Sequence, residues 1–159
     1  MAAKRPILRV DCGFEDDAEG TGSEHLLRYG PTLSVDIGFD PSYAGTKGGA
    51  VPIPRAKELP ALVDTGAGES FIDTQLALAL NLPVVDRGRT MAGAGGEHRT
   101  DVYLAQLRIP ELEYVVYGEF CGVNLTEGGM VHRALIGRTV LREHTLTYRG
   151  ETGKVTLAR

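Results

Sequence analysis

Seven consecutive residues, Leu33-Ser34-Val35-Asp36-Ile37-Gly38-Phe39, alternate apolar and polar without a break. A period of two sends every other side chain to the same face, so this stretch predicts a strand with one buried side. Asp40-Pro41 ends it, and residues 42–54, rich in Gly and Pro, predict a loop. With 21 Gly, 8 Pro and no Trp in 159 residues, the whole chain has the makings of a turn-rich, β-dominated protein. A chain of this length can bury about 70% of the surface its unfolded form exposes, enough for one core without staples.

The formal charge of −4 argues against a nucleic-acid partner, which needs a basic face for phosphates. Cys12 and Cys121 stand far apart, and His25, His98, His132 and His144 show no metal-ligand spacing, so no metal and no cofactor is expected. No h-region of a signal peptide opens the chain, and no apolar run reaches the ~20 residues that span a bilayer. The expectation is a soluble, cytoplasmic protein with no membrane segment.

The front of the chain is the hardest to read. Ile7-Leu8-Arg9-Val10 is β-like, and residues 11–23 are so rich in Gly, Asp and Glu that a loop is predicted. Residues 1–29 are therefore set apart as an N-terminal extension, with one domain over 30–159. Asp73 can cap a short helix of Ala and Leu that Pro83 stops, and Val84-Val85 resumes an extended path. Residues 89–109 predict a β-hairpin with Gly93-Ala94-Gly95-Gly96 at its tip and Val102, Leu104 and Leu107 alternating imperfectly along its second arm. Such a tip suits an ordinary tight turn or a flap over a ligand, because glycine allows positive φ and close approach. It does not suit a phosphate loop, since no Lys-Ser or Lys-Thr follows; Gly150-Glu151-Thr152-Gly153-Lys154-Val155 fails in the same way and predicts a hairpin turn instead. Residues 114–117 and 120–125 are two more strand candidates. Ala134-Leu135-Ile136-Gly137-Arg138 then predicts a strand, a glycine and a helix-like stretch.

One acid stands out by position. Leu62-Val63-Asp64-Thr65-Gly66-Ala67 is an apolar strand that ends in turn-forming residues, which leaves a carboxylate where strand becomes turn. By itself Asp64 reads more readily as an acceptor for its own turn than as a catalyst. A similar phrase, Val10-Asp11-Cys12-Gly13, is rejected as a second catalytic acid because the segment between the two is too short and loop-like to build another lobe.

The order of these pieces, together with Pro60-Ala61-Leu62-Val63-Asp64-Thr65-Gly66-Ala67-Gly68-Glu69-Ser70-Phe71-Ile72-Asp73 and Leu135-Ile136-Gly137-Arg138, resembles one lobe of a retropepsin-like aspartic protease of the bacterial or retroelement type. That resemblance implies an all-β, closed-barrel acid-protease fold with a flap hairpin and one or two short helices. It implies that Asp64 is catalytic, that Thr65 locks its loop to a second copy, and that Gly66 lets the loop turn. Ala67 and the flap, Met91, Ala92, Gly93, Ala94, Gly95 and Gly96, would bind substrate, while Leu135, Ile136, Gly137 and Arg138 would support the Asp64 loop. The retroviral pattern often has an acid where Gly68 stands, so Arg138 is left between Glu69, Asp73 and no partner. The resemblance further implies a homodimeric peptide-bond hydrolase, or, if silent, a peptide-binding or assembly module. By analogy with retroviral relatives, residues 7–10 and 155–157 would interleave across the dimer.

Overall fold

A computed structural model describes residues 6–45, 50–93 and 95–159. Of the loop expected over 42–54, residues 46–49 lie outside the described residues, as does Ala94 of the hairpin tip.

The alternating stretch forms β2 (Thr32–Gly38), and Leu33, Val35 and Ile37 are buried as the period requires. It pairs antiparallel with β3 (Ala56–Val63), the strand that delivers Asp64. β3 lies parallel to β8 (Ala134–Ile136), β8 antiparallel to β4 (Phe71–Asp73), and β4 parallel to β7 (Tyr114–Val123). β7 joins β6 (Gly96–Ile109), whose far end returns to β2 through Ile37 opposite Leu107. The sheet thus closes on itself through the β2–β6 pairing. Inside the ring, Val35, Ile37, Ala61, Ile72, Leu107, Ile109, Phe120 and Ile136 are sealed from solvent, each large aliphatic side chain stabilising the fold by ~1.5–3 kcal/mol. The chain therefore has the expected all-β architecture, with a long hairpin of β5 (Val84–Gly93) and the outer part of β6 projecting from it.

Along β6 the core face is Tyr103, Ala105, Leu107 and Ile109; Leu104 is only half-buried and does not belong to it. The two candidates at 114–117 and 120–125 are one strand, because Gly118 pairs with Ala105 and the ladder runs through it. Among the described residues the lobe holds two short helices, as expected, α2 (Thr74–Ala79) and α3 (Arg138–Leu141), and a further one, α1 (Gly22–Tyr29), precedes it. α2 is capped by Asp73 as expected. α1 replaces the end of the loop expected over 11–23, and its start is a capping box: the Thr21 hydroxyl accepts from the Glu24 N–H at 3.2 Å, and the Glu24 carboxylate accepts from the Thr21 N–H at 2.8 Å.

The terminal segments also differ from expectation. β1 (Arg9–Asp11) pairs with β10 (Lys154–Ala158) of the same chain, Val10 opposite Leu157, instead of interleaving with a second copy. β10 pairs in turn with β9 (Thr145–Arg149), forming the expected closing hairpin and a three-stranded sheet in the order β1-β10-β9. Local chemistry explains the choice: Asp17 accepts from the His25 ring at 2.8 Å, Lys154 pairs with Glu15, and the Val10, Cys12 and Leu26 side chains enter the core. Among the described residues no helix is long and apolar enough to cross a membrane.

Candidate active site

β3 ends at Val63, whose N–H is taken by the Pro31 carbonyl at 2.8 Å, and Asp64 continues the ladder by donating its N–H to the Ile136 carbonyl at 3.0 Å. Beyond that point the backbone turns. The Ala67 N–H reaches back to the Asp64 carbonyl at 3.3 Å, and the Gly66 N–H donates to Asp64 Oδ1 at 2.8 Å. This is the local turn contact that an Asp makes by itself, and it also orients the carboxylate. Asp64 is half-buried, and Thr65 and Gly66 are exposed.

The supporting residues come together around this loop. Arg138 N–H donates to the Ala67 carbonyl at 2.9 Å and Thr139 N–H to the Gly68 carbonyl at 3.1 Å. The Arg138 side chain settles the question of its partner: Nη1 donates to the carbonyls of Thr65 and Gly66, both at 2.9 Å, and among the described residues to no carboxylate. Gly68 offers no acid, and Asp73 is fully occupied elsewhere. Gly137 sits so close to the loop that an added Cβ would lie 2.0 Å from the Glu69 carbonyl, a contact only glycine avoids. Leu135 and Ile136 hold β8 in register beside Leu62 and Val63.

Ser70 was not singled out from the sequence. It is buried, and its hydroxyl accepts from the Gly137 N–H at 3.0 Å, closing the far end of the loop. The signal was its place at the end of a turn, but its partner lies 67 residues away.

The hairpin approaches the Asp64 loop through Met91, two residues before its turn. Met91 Sδ lies 3.7 Å from Cys121 Sγ, which lies 3.8 Å from Glu69 Oε2 at the back of the Asp64 loop. Ala92, Gly93, Gly95 and Gly96 extend beyond as an exposed tip, with Gly93 opposite Gly96 and Gly96 at φ +100°.

The chemistry available is narrow. Burial, with Glu69 adding to it, pushes the Cys121 thiol above its ordinary range, and burial pushes Cys12 up to about 12, so neither thiol is a ready nucleophile. Among the described residues no group of three or more His, Cys, Asp or Glu side chains is arranged to hold a metal ion. The Asp64 carboxylate is half-exposed and is held on a braced loop.

Comparison with known proteins agrees with this geometry. Residues 48–140 match the family model described as aspartyl protease, a span that includes both the Asp64 loop and Leu135-Ile136-Gly137-Arg138. A crystal structure of a retropepsin-like aspartic protease from Rickettsia conorii is 13% identical, covering 98% of this chain and 96% of that one, with a TM-score of 0.54. The EIAV protease complexed with the inhibitor HBY-793 is 20% identical over 71% of this chain and 86% of its own, with a TM-score of 0.42. No curated protein matches the chain. By the family match over more than half its length, and by a fold shared with the Rickettsia structure, the chain belongs to the aspartyl protease family and has the retropepsin-like fold.

Proposed function

We propose that this chain is an aspartic endopeptidase that works as a homodimer, with Asp64 of each copy forming the catalytic dyad. The observation that carries this is the single Asp64 loop, braced from behind by Arg138, Gly137 and Ser70, with its carboxylate half-exposed and Thr65 and Gly66 at the surface. The sequence has one Asp-Thr-Gly, so a pair requires a second chain, and a twofold axis brings identical loops face to face.

Two carboxylates ~3 Å apart cannot both ionise, and they share one proton. The ionised Asp64 takes a proton from water while the protonated one donates to the scissile carbonyl; water adds to the carbon, and the proton then passes to the leaving amide nitrogen. Thr65 hydroxyls reach across to the opposite loop. Met91 to Gly96 close over an extended peptide that Ala67 and the hairpin edges hold by backbone hydrogen bonds. Residues 30–159 constitute the protease domain, and residues 1–29 are an N-terminal extension lying along it.

The test compares wild type with Asp64→Asn on a peptide library across pH, with mass measured in solution. Wild type cleaves with a bell-shaped profile on the acid side, since the dyad works with one proton and not with two or none; Asp64→Asn remains dimeric and silent. Equal cleavage by both removes the catalytic role. Silence from both, with a stable dimer, points to a peptide-binding or assembly module.

A further inference from the structure

β5 and β6 stay paired out to Gly93 opposite Gly96, but β6 leaves β7 much earlier, at Val102 opposite Cys121. Beyond that point, among the described residues, no ladder ties the hairpin to the ring, so side chains decide where its outer half rests. The bend that frees it is built into β5. Its register against β6 slips twice, between Val84 and Asp86 and again between Asp86 and Arg89, and Gly88 has φ +65°. Two slips so close together bend a strand and increase its twist. Arg87 Nη1 and the Gly88 N–H both donate to Asp101 across the hairpin, each at 3.1 Å, which fixes the bend from within.

Past the bend, two side chains of β5 cross to β7. Arg89 Nη2 donates to Glu119 Oε2 at 2.9 Å, and Met91 Sδ lies 3.7 Å from Cys121 Sγ. β5 and β7 are each antiparallel to β6 and so run the same way, and the two contacts join residues two apart on one strand to residues two apart on the other. The hairpin thus lies along the end of β7 over these residues. Arg89 Nε also donates to Asp86 Oδ2 at 2.9 Å, so the guanidinium forks between the bend and β7. Of the ion pairs among the described residues, Arg89 with Glu119 is the one that joins the hairpin to the rest of the chain; Arg87 with Asp101 and Arg89 with Asp86 lie within it. An isolated exposed pair holds little, but this guanidinium is only 34% exposed and binds two carboxylates at once.

We propose that Arg89 is a positioning residue: by clamping the bend of β5 to Glu119 on β7, it seats the hairpin beside the Asp64 loop. Its effect on catalysis rests on the proteolytic reading above; the seat itself does not. The route to the loop is short, because Cys121, in contact with Met91, lies 3.8 Å from Glu69 Oε2. With the clamp released, the hairpin swings about the bend, Met91 lifts off Cys121, and an extended peptide loses a cover already in place. Substrate binding suffers more than the chemical step, since the side-chain bonds of Arg89 go to Asp86 and Glu119 and not to Asp64.

The test reads the seat directly. Cys121 is 2% exposed, and the rate at which methyl methanethiosulfonate labels it, followed by mass spectrometry, reports how often the hairpin lifts. Cys12, fully buried, and a Cys121→Ser control identify the thiol that reacts. Arg89→Met should speed labelling roughly tenfold, the size of one charge-assisted bond, and Glu119→Gln nearly as much, with the double variant no faster than Arg89→Met. Arg89 draws the pKa of the Cys121 thiol down, so loss of its charge by itself slows labelling, and a faster rate reports opening. Arg87→Met, which cuts a pair within the hairpin, should leave the rate unchanged. Added salt should bring wild type toward Arg89→Met and hardly move that variant. In cleavage assays Arg89→Met should raise KM about tenfold with kcat within about twofold.

Labelling of Arg89→Met and Glu119→Gln at the wild-type rate overturns the clamp, whatever the activity. Should Arg89→Met fail to fold, Glu119→Gln alone decides. Faster labelling with KM unchanged overturns the positioning role, because the seat then does not serve substrate. Faster labelling in a protein whose wild type cleaves no peptide supports the clamp and removes the proteolytic reading instead.

Discussion

Asp64 and Asp73 stand at the ends of two successive strands, β3 and β4, and the fold treats them in opposite ways. Asp73 is completely buried. Its carboxylate accepts from the N–H groups of Leu125, Thr126 and Leu76 at 3.1, 3.2 and 3.3 Å and from the Thr126 hydroxyl, with Arg133 at 3.4 Å. A carboxylate has about four lone-pair sites, and here all are engaged. Asp64 accepts from one N–H, that of Gly66, and is half-exposed. A saturated acid fixes structure; an acid with open lone pairs, on a loop fixed by other groups, is one that can take a proton from water.

The largest effects should separate the two acids cleanly. Asp73→Ala leaves Arg133 and three N–H groups without their acceptor, and unfolding in denaturant should become easier by about 3–5 kcal/mol, with cleavage per folded molecule unchanged. Asp64→Asn should leave stability within about 0.5 kcal/mol and lower cleavage roughly 10³-fold. If Asp73→Ala proves mild in denaturant, or Asp64→Asn proves severe, the division between structural and catalytic acid is lost.

What separates these acids was only partly legible in the chain. Asp64 announces itself through short-range signals, an apolar run stopped by Thr and Gly, and Asp73 through the helix formers behind it. The Thr126 contact comes from the chain leaving β7 and the Arg133 contact from the residue before β8, the two strands that flank β4, about which local sequence is silent. The same limit hid Cys121, which lies opposite Phe71 through a parallel pairing, and the carbonyl partners of Arg138. Gly118 broke the apolar pattern of β7 in sequence but not in space, because a residue within a long ladder is held by its neighbours. The α1 helix is a different case. Thr21-Gly22-Ser23-Glu24 has the capping-box spacing, which a loop reading built only on the Gly, Asp and Glu content of residues 11–23 does not use.

A middle-sized effect sharpens the idea that the Asp64 loop is braced by other groups. Arg138→Met removes both side-chain bonds to the Thr65 and Gly66 carbonyls but keeps the backbone bond to Ala67. Stability should fall by about 1–2 kcal/mol, and kcat/KM by about tenfold as the loop loses its fixed orientation. Arg138→Lys should recover only part, since a single ammonium cannot fork to two carbonyls as a guanidinium does. Equal kcat/KM in wild type and Arg138→Met, measured on dimeric protein, would mean that Gly137 and Ser70 hold the loop unaided.

The smallest effect concerns acid, where an enzyme of this family is expected to work. His132 is buried, its Nε2 lies 2.8 Å from the Thr32 hydroxyl, and burial holds its pKa below the ordinary imidazole range. The fold thus favours the neutral ring, and the unfolded chain binds a proton first as pH falls. The stability that His132 contributes is complete above an unfolded pKa of about 6.5 and is lost as pH falls through the lower folded value. His132→Asn should flatten the pH dependence of unfolding in that window, ahead of the further loss on protonating Asp17 and Glu24, which hydrogen bonds from His25 and Thr21 hold below the usual carboxylate range. Activity then tells which event limits the acid limb. If the limb is set by the Asp64 dyad taking up its second proton, wild type and His132→Asn share the same acid limb; if it moves to lower pH in His132→Asn, unfolding rather than dyad chemistry sets it.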